Sequence, residues 1–233
     1  MIKIIKTKYT LPGGTTLSAA LSAIFFYLSR YPTVYILLAT EIRDTFSGLN
    51  IKSGAQLSSC KYLRACIDET LRMSPPFLAT FWREPYLDHT EPFVVDVHVI
   101  PPGTIAGVNP DCVMHNEEYF SDPFHLKEEQ NLASIRVAFA SFALGDTNYL
   151  GKVMAYHETS LVIAKTLWYF DFGKASGEAG KLGEGQSGNM NGRGRIDKYQ
   201  LFDLAVVDHD GPNLVFALRE EYWRELSDEG FKA

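Results

Sequence analysis

Residues 60–76 read CKYLRACIDETLRMSPP, and this stretch sets the fold class. Leu63, Ile67 and Leu71 recur at the spacing of one helix face, and Pro75 and Pro76 end the run because proline lacks the N–H that a continuing helix needs. A helix is therefore expected from about Leu57 to Met73. Glu69 and Arg72 stand three apart on it, so they share a face and can pair. Taken alone, that spacing describes a solvated surface bridge worth tenths of a kcal/mol.

Upstream, Leu17, Ala20, Leu21, Ile24, Phe25 and Leu28 recur at helical spacing between Thr15 and Arg30. Pro32 then suits the rigid first turn of a second helix that turns Val34, Leu38, Ile42 and Phe46 toward a core before Gly48. Residues 15–73 thus form a helical part. Between 77 and 109 the pattern changes to short runs rich in Phe, Val and Ile, punctuated by Pro85, Pro92, Pro101, Pro102 and Gly103, which predicts a small strand meander. Residues 120–151 are mixed and rich in turn formers, and a strong helix follows over 151–168 with Val153, Tyr156, Ser160, Leu161, Ala164 and Leu167 on one side.

The segment 173–195 holds eight glycines and few apolar residues, so it is expected to be a flexible loop. After it, Tyr199–Val207 and Leu214–Leu218 flank His209, Asp210, Gly211 and Pro212, a turn signal, so 199–218 is expected to close as a terminal β-hairpin. The fold class is mainly α with small β-sheets, an α+β protein. No internal repeat is present.

At 233 residues and 46% hydrophobic content the chain is long enough to bury a sizeable core. A formal charge of -6 gives no basic stripe to neutralise phosphates, so nucleic acid is excluded as a partner. Cys60, Cys66 and Cys112 form neither a CxxC pair nor an even disulfide framework, which implies reduced thiols and a cytoplasmic location. The longest apolar stretch, Leu17 to Leu28, is far short of the roughly 20 residues of a membrane-spanning helix, so no transmembrane segment is expected in this chain. The six histidines show no HExxH or HxxxH spacing, Gly13 and Gly14 open no phosphate loop, and GxSxG is absent, which removes the usual zinc, nucleotide and serine-hydrolase signatures.

Longer strings carry a family resemblance. CKYLRACIDETLRMSPP at 60–76, TFWREP at 80–85 and VIPPGTIAGVNPDCVMHNEEYFSDPFHL at 99–126 resemble, in order and spacing, the ExxR helix and meander of cytochrome P-450 enzymes. LPGGTTLSAALSAIFFYLSRYPTVYILLATEIRDTF at 11–46 is similar to the second half of the family's oxygen-activating helix and the helix after it. FASFALGDTNYLGKVMAYHETSLVIAKTLWYFDF at 139–172 resembles its haem-binding loop and following helix, and YQLFDLAVVDHDGPNLVFALR at 199–219 the terminal strands of fungal secondary-metabolism members. The resemblance covers almost the whole chain and corresponds to the C-terminal half of the cytochrome P-450 fold, so the family's membrane anchor and most of its substrate-pocket helices would precede Met1.

The resemblance implies haem as cofactor, an apolar small-molecule substrate, and electrons from NADPH delivered through a cytochrome P-450 reductase. It makes Glu69 and Arg72 a buried structural pair, whose third member, an arginine in the family, is here Gln130. It makes Arg83 a haem-propionate contact and Thr15 the catalytic alcohol that delivers protons to bound dioxygen, with Gly14 where an acidic neighbour often stands. In the haem loop Phe142, Gly145 and Gly151 match the family's pattern, Thr147 stands at the basic position, and Tyr149 occupies the place of the iron-binding cysteine.

A haem-thiolate sulfur pushes electron density through the iron and favours O–O cleavage, which a phenol cannot do; a tyrosinate ligates haem iron in a different chemistry. Three readings follow. The chain is a monooxygenase of apolar natural-product intermediates or part of one, a degenerate haem-free binding or scaffold protein, or a non-redox biosynthetic enzyme reusing the pocket. Helix faces such as Leu21, Phe25 and Leu28 are expected to seek partners outside the chain.

Overall fold

The computed structural model describes residues 2–4, 14–47, 51–85, 92–125, 138–145, 148–204, 206–220, 222 and 224. In chain order the elements are β1 (Ile2–Ile4), α1 (Gly14–Leu28), α2 (Pro32–Thr45), α3 (Ala55–Ser59), α4 (Lys61–Met73), β2 (Phe81–Pro85), β3 (Phe93–Val95), β4 (His98–Ile100), β5 (Ala106–Val108), α5 (Pro110–Met114), α6 (Lys152–Tyr169), β6 (Phe170–Lys174), β7 (Leu201–Phe202), β8 (Asp208–His209) and β9 (Leu214–Leu218). Helices dominate, and the sheets are small and antiparallel.

Helices α1, α2, α4 and α6 pack on one another around a core that includes Ile24, Leu38, Ile42, Leu63, Ile67, Ile163 and Leu167. The apolar periods of the sequence account for this. Val34, Leu38, Ile42 and Phe46 are all buried, as are Leu63, Ile67 and Leu71. On α6 the buried stripe runs through Tyr156, Thr159, Ile163, Ala164 and Leu167, and Val153, expected on that side, is exposed. Cys60 breaks the expected single helix of 57–73 into α3 and α4.

The expectation of open faces on α1 is corrected by packing. Leu28 is buried, Leu21 packs against the core, and Phe25 meets Phe172 edge-on at 5.2 Å. Tyr27, wholly buried, shares a hydrogen bond with the Ser74 hydroxyl at 2.7 Å and accepts from the Tyr199 amide at 3.3 Å, tying α1 to both the end of α4 and the C-terminal segment. Burial pushes its phenol well above the ordinary tyrosine range, so it stays protonated.

Arg72 is the largest fully buried side chain, 1% exposed. Its Nε and Nη2 donate to the two carboxylate oxygens of Glu69, each at 2.8 Å, and its Nη1 donates to the Met114 carbonyl at 2.9 Å and the Pro123 carbonyl at 2.6 Å. The pair expected at the surface from spacing alone is therefore a buried clamp. It draws the 110–123 segment onto α4, where Asn109 caps α5 by accepting from the Asp111 and Cys112 amides. Gln130 lies outside the described residues.

The strands of 77–109 form two small sheets. β2 is the centre of a three-stranded sheet ordered β1-β2-β5, and β3 pairs with β4. The terminal hairpin expected over 199–218 does not form. β9 pairs instead with β6 in the register Phe170↔Leu218 through Lys174↔Leu214, and β7 pairs with β8. Long-range aromatic packing decides this: Phe172 and Phe216 meet across the pair at 5.5 Å, and Tyr35 packs edge-on against Phe172 at 5.1 Å.

The segment 173–195 is also corrected, from a flexible loop to a hydrogen-bonded one. It contains a 3-10 helix at Gly177–Lys181, and the Gly185 and Gln186 amides donate to the Arg195 and Arg193 carbonyls at 3.1 and 2.8 Å. Arg30, at the end of α1, donates to the Gly180 carbonyl at 2.7 Å and to Glu184 at 3.1 Å. Its glycines serve close approach: a Cβ on Gly180 would fall 1.8 Å from the Ala175 carbonyl oxygen, and one on Gly185 would fall 2.3 Å from that of Arg195.

Cutting the clamp on one side should be severe. Arg72→Met strands the Glu69 carboxylate in the core and should cost about 3–5 kcal/mol in urea unfolding, whereas Glu69→Leu with Arg72→Met should recover part of that loss. Equal stabilities for Arg72→Met and the parent would show that the clamp does not hold the fold.

Candidate functional site

Between α1, α4 and α6 lies a largely apolar cavity of about 360 Å³. Its wall is built from helical stripes. Gly151, Met154, Ala155, Glu158 and Thr159 come from the start of α6, at the i, i+3, i+4, i+7 and i+8 spacing of one face. Thr16, Leu17 and Ala20 come from α1, Ile67 and Leu71 from α4, and Phe77 and Phe81 from the chain leading into β2. The loop Ser141–Ala143 and the ring of Tyr149 complete it.

The loop is held by its own backbone. The Tyr149 amide donates to the Phe142 carbonyl at 2.9 Å and the Asn148 amide to the Gly145 carbonyl at 3.0 Å. Gly145 adopts φ 67°, a left-handed conformation that glycine takes without strain. The Ser141 hydroxyl donates to the Leu71 carbonyl at 2.7 Å, which fixes the loop to α4. Phe142 and Tyr149 lie nearly parallel, with ring centroids 6.4 Å apart.

Tyr149 is half in solvent, and its ring covers Gly151 so closely that a Cβ there would fall 2.5–2.7 Å from the ring carbons and hydroxyl. Tyr156 is buried beside the loop, and its hydroxyl donates to Asp68 at 2.5 Å while Arg64 lies over its ring at 3.5 Å. Burial, reinforced by the neighbouring carboxylate of Asp68, pushes the Tyr156 phenol far above its ordinary value, so it stays protonated.

The structure brings together Phe142, Tyr149 and Gly151 in one wall, with Gly145 at the turn beside them. Thr15 is exposed in the first turn of α1, and the neighbouring Thr16 lines the cavity. Arg83 sits half-buried on β2 opposite Ala106, outside the lining residues. Glu69 and Arg72 lie beside Ile67 and Leu71 on α4 but are not among the lining residues, so they support the wall without entering it. Thr147 lies outside the described residues. Sequence reasoning missed Thr16, Met154, Ala155, Glu158 and Thr159, although the helical stripe continuing from Gly151 was the signal that would have found the last four.

The model of the cytochrome P450 family, written "Cytochrome P450", matches residues 5–192. The chain belongs to the cytochrome P-450 family. A cytochrome P-450 monooxygenase of Gibberella zeae is 36% identical over 212 residues, covering 89% of this chain and 49% of that protein. The monooxygenase apf8 of Gibberella fujikuroi is 38% identical, covering 89% and 57%, and AKT7 of Alternaria alternata is 32% identical, covering 90% and 42%. The chain thus spans about half the length of the curated relatives it matches. A cytochrome P-450 crystal structure, CYP102L1, superposes with a TM-score of 0.66 at 18% identity over 88% of this chain and 42% of that one, which shows the fold.

The cytochrome P-450 family uses haem, and the lining residues test whether a haem-thiolate centre fits here. They do not fit it. No cysteine lines the cavity among the described residues: Cys60 is buried in the helical core, Cys66 is half-buried, and Cys112 is exposed on α5. The sulfur in the wall is the thioether of Met154, which is neutral and is not a thiolate donor. No lysine, arginine or histidine is among the lining residues to meet a propionate.

Gly151→Ala tests the ring's placement. The added methyl should swing the half-exposed Tyr149 ring away and leave the backbone in place, so unfolding should change by less than about 1 kcal/mol. Peptide-resolved nitration of Tyr149 should become faster. An unchanged nitration rate would mean that the ring does not rest on Gly151.

Proposed function

We propose that this chain is a degenerate member of the fungal cytochrome P-450 monooxygenase lineage that holds an apolar small molecule between α1 and α6 and does not itself perform haem-thiolate oxygen activation. The observation that carries this reading is the Tyr149 ring, which closes the wall over Gly151, and by the sequence resemblance this phenol stands where the family keeps its thiolate. The relatives bear the name monooxygenase, which supports descent from that lineage. The wall itself is a cleft lined by aliphatic and aromatic groups with a few hydroxyls, the composition of a small-molecule site.

In this reading the hydroxyls of Thr16 and Ser141 orient the bound molecule, and proton delivery by Thr15 belongs to the rival reading of a working monooxygenase coupled to an NADPH-dependent reductase. Ligation of iron by a phenolate instead would need a nearby cation, since a phenol ordinarily titrates at about 10, and among the described residues the Lys152 ammonium at this loop lies over the Phe142 ring at 5.5 Å. The chain's three cysteines, none of them in a disulfide, favour a cytoplasmic location.

Two measurements test the reading. Haemin titration of the purified chain should give no thiolate-type spectrum in the ferrous carbon monoxide form, and Tyr149→Cys should bind haem more tightly and show that spectrum weakly. A tight one-to-one thiolate-type complex of the unaltered chain overturns the proposal. Separately, prodan, a neutral apolar fluorophore, should bind the unaltered chain, and Ala155→Trp, which fills the cavity from α6, should weaken it at least about tenfold. Equal prodan affinity in the two proteins would remove the cavity as the binding site.

A further inference from the structure

Resting on the pocket reading above, one charged group in the wall narrows the ligand class. Glu158 is half-buried and lies on the cavity-facing stripe of α6 with Gly151, Met154, Ala155 and Thr159. Side chains on a helix lean toward its N-terminus, so this carboxylate leans back toward the Met154 turn and the loop that carries Tyr149. Among the described residues it makes no hydrogen bond or ion pair.

The helix offers it no neutralising neighbour. The positions three and four residues away in either direction are Met154, Ala155, Leu161 and Val162. Nearby cations are committed elsewhere: Arg64 pairs with Asp68 at 3.0 Å and stacks on Tyr156, and the Lys152 ammonium lies over the Phe142 ring at 5.5 Å. The same wall presents several aromatic rings, with Phe77 and Phe81 stacked at 5.1 Å and Phe142 beside Tyr149.

We propose that the pocket is a receptor for apolar molecules bearing a protonated amine, with Glu158 as the counter-ion and the aromatic wall as the second source of cation attraction. A neutral ligand seated here would strip water from the carboxylate and return nothing, which costs free energy. A protonated amine returns a charge-assisted hydrogen bond in a site drier than bulk water, and ring faces attract the same cation. Selectivity for the amine is therefore a difference between two ligands of one shape.

Calorimetry with naphthylethylamine and its isosteric alcohol, naphthylethanol, tests this at neutral pH and low salt. The amine should bind the unaltered chain about tenfold more tightly, the usual size of a charge-assisted hydrogen bond, and Glu158→Gln should remove most of that preference, leaving only the part contributed by the rings. A quaternary ammonium analogue should also outbind the alcohol in the unaltered chain, a comparison that stands even where the variant does not fold. Equal affinities in the unaltered chain, or an amine preference undiminished in Glu158→Gln, overturn the assignment while leaving an apolar pocket. Binding of neither ligand by the unaltered chain overturns the pocket reading and this inference together.

Discussion

A guanidinium sealed inside a protein must have its donors met, because a lost partner for a buried charge costs several kcal/mol. Arg72 meets this demand with the Glu69 carboxylate and two backbone carbonyls, those of Met114 and Pro123. The consequence reaches beyond α4. The carbonyls belong to a segment with little regular structure of its own, and they set its distance from the helix. On the same helix the Leu71 carbonyl accepts from Ser141, so the element that anchors the 110–123 segment also anchors the loop at the cavity. The clamp thereby helps to position two irregular stretches, alongside the buried contact of Met114 and Phe120 with Ala138.

Above that foundation the cavity follows from helix periodicity. Three stripes, on α1, α4 and α6, converge, and small side chains at Ala20, Gly151 and Ala155 leave space between them. Their convergence needs only packing, so the pocket persists independently of the metal chemistry carried by this family. Fold and chemistry are separable: the fold is kept here to a TM-score of 0.66 against a cytochrome P-450, and the chemistry has to be argued from the side chains at the cavity.

The helices and the Glu69–Arg72 pair were legible in the sequence because each is set by residues three or four apart. Burial of the pair was not legible from its spacing; the longer family resemblance supplied it. What failed was set at long range. The strands around the turn signal at His209–Pro212 pair elsewhere, because the β6 partner of β9 lies about forty residues upstream and is selected by Phe172 and Phe216. The glycines of 173–195 were read as freedom, when Gly180 and Gly185 are there for contact with the Ala175 and Arg195 carbonyls. Thr15 and Thr16 are neighbours in sequence, and only the rotation of α1 about its axis, fixed by packing, places Thr16 at the wall.

The loop also explains how a bulky phenol came to be tolerated at position 149. A tyrosine ring is far larger than a thiol, and in a closed turn it must displace something. Here it displaces nothing, because it lies over Gly151, where any side chain would collide with it at 2.5–2.7 Å. The glycine that lets the backbone turn into α6 also leaves the space that the ring occupies. The Tyr149 amide can therefore keep its hydrogen bond to the Phe142 carbonyl at 2.9 Å while the side chain alters. The loop's backbone bonds thus place no demand on the side chain at position 149, and that is why the shape of the loop carries no warrant for the reaction.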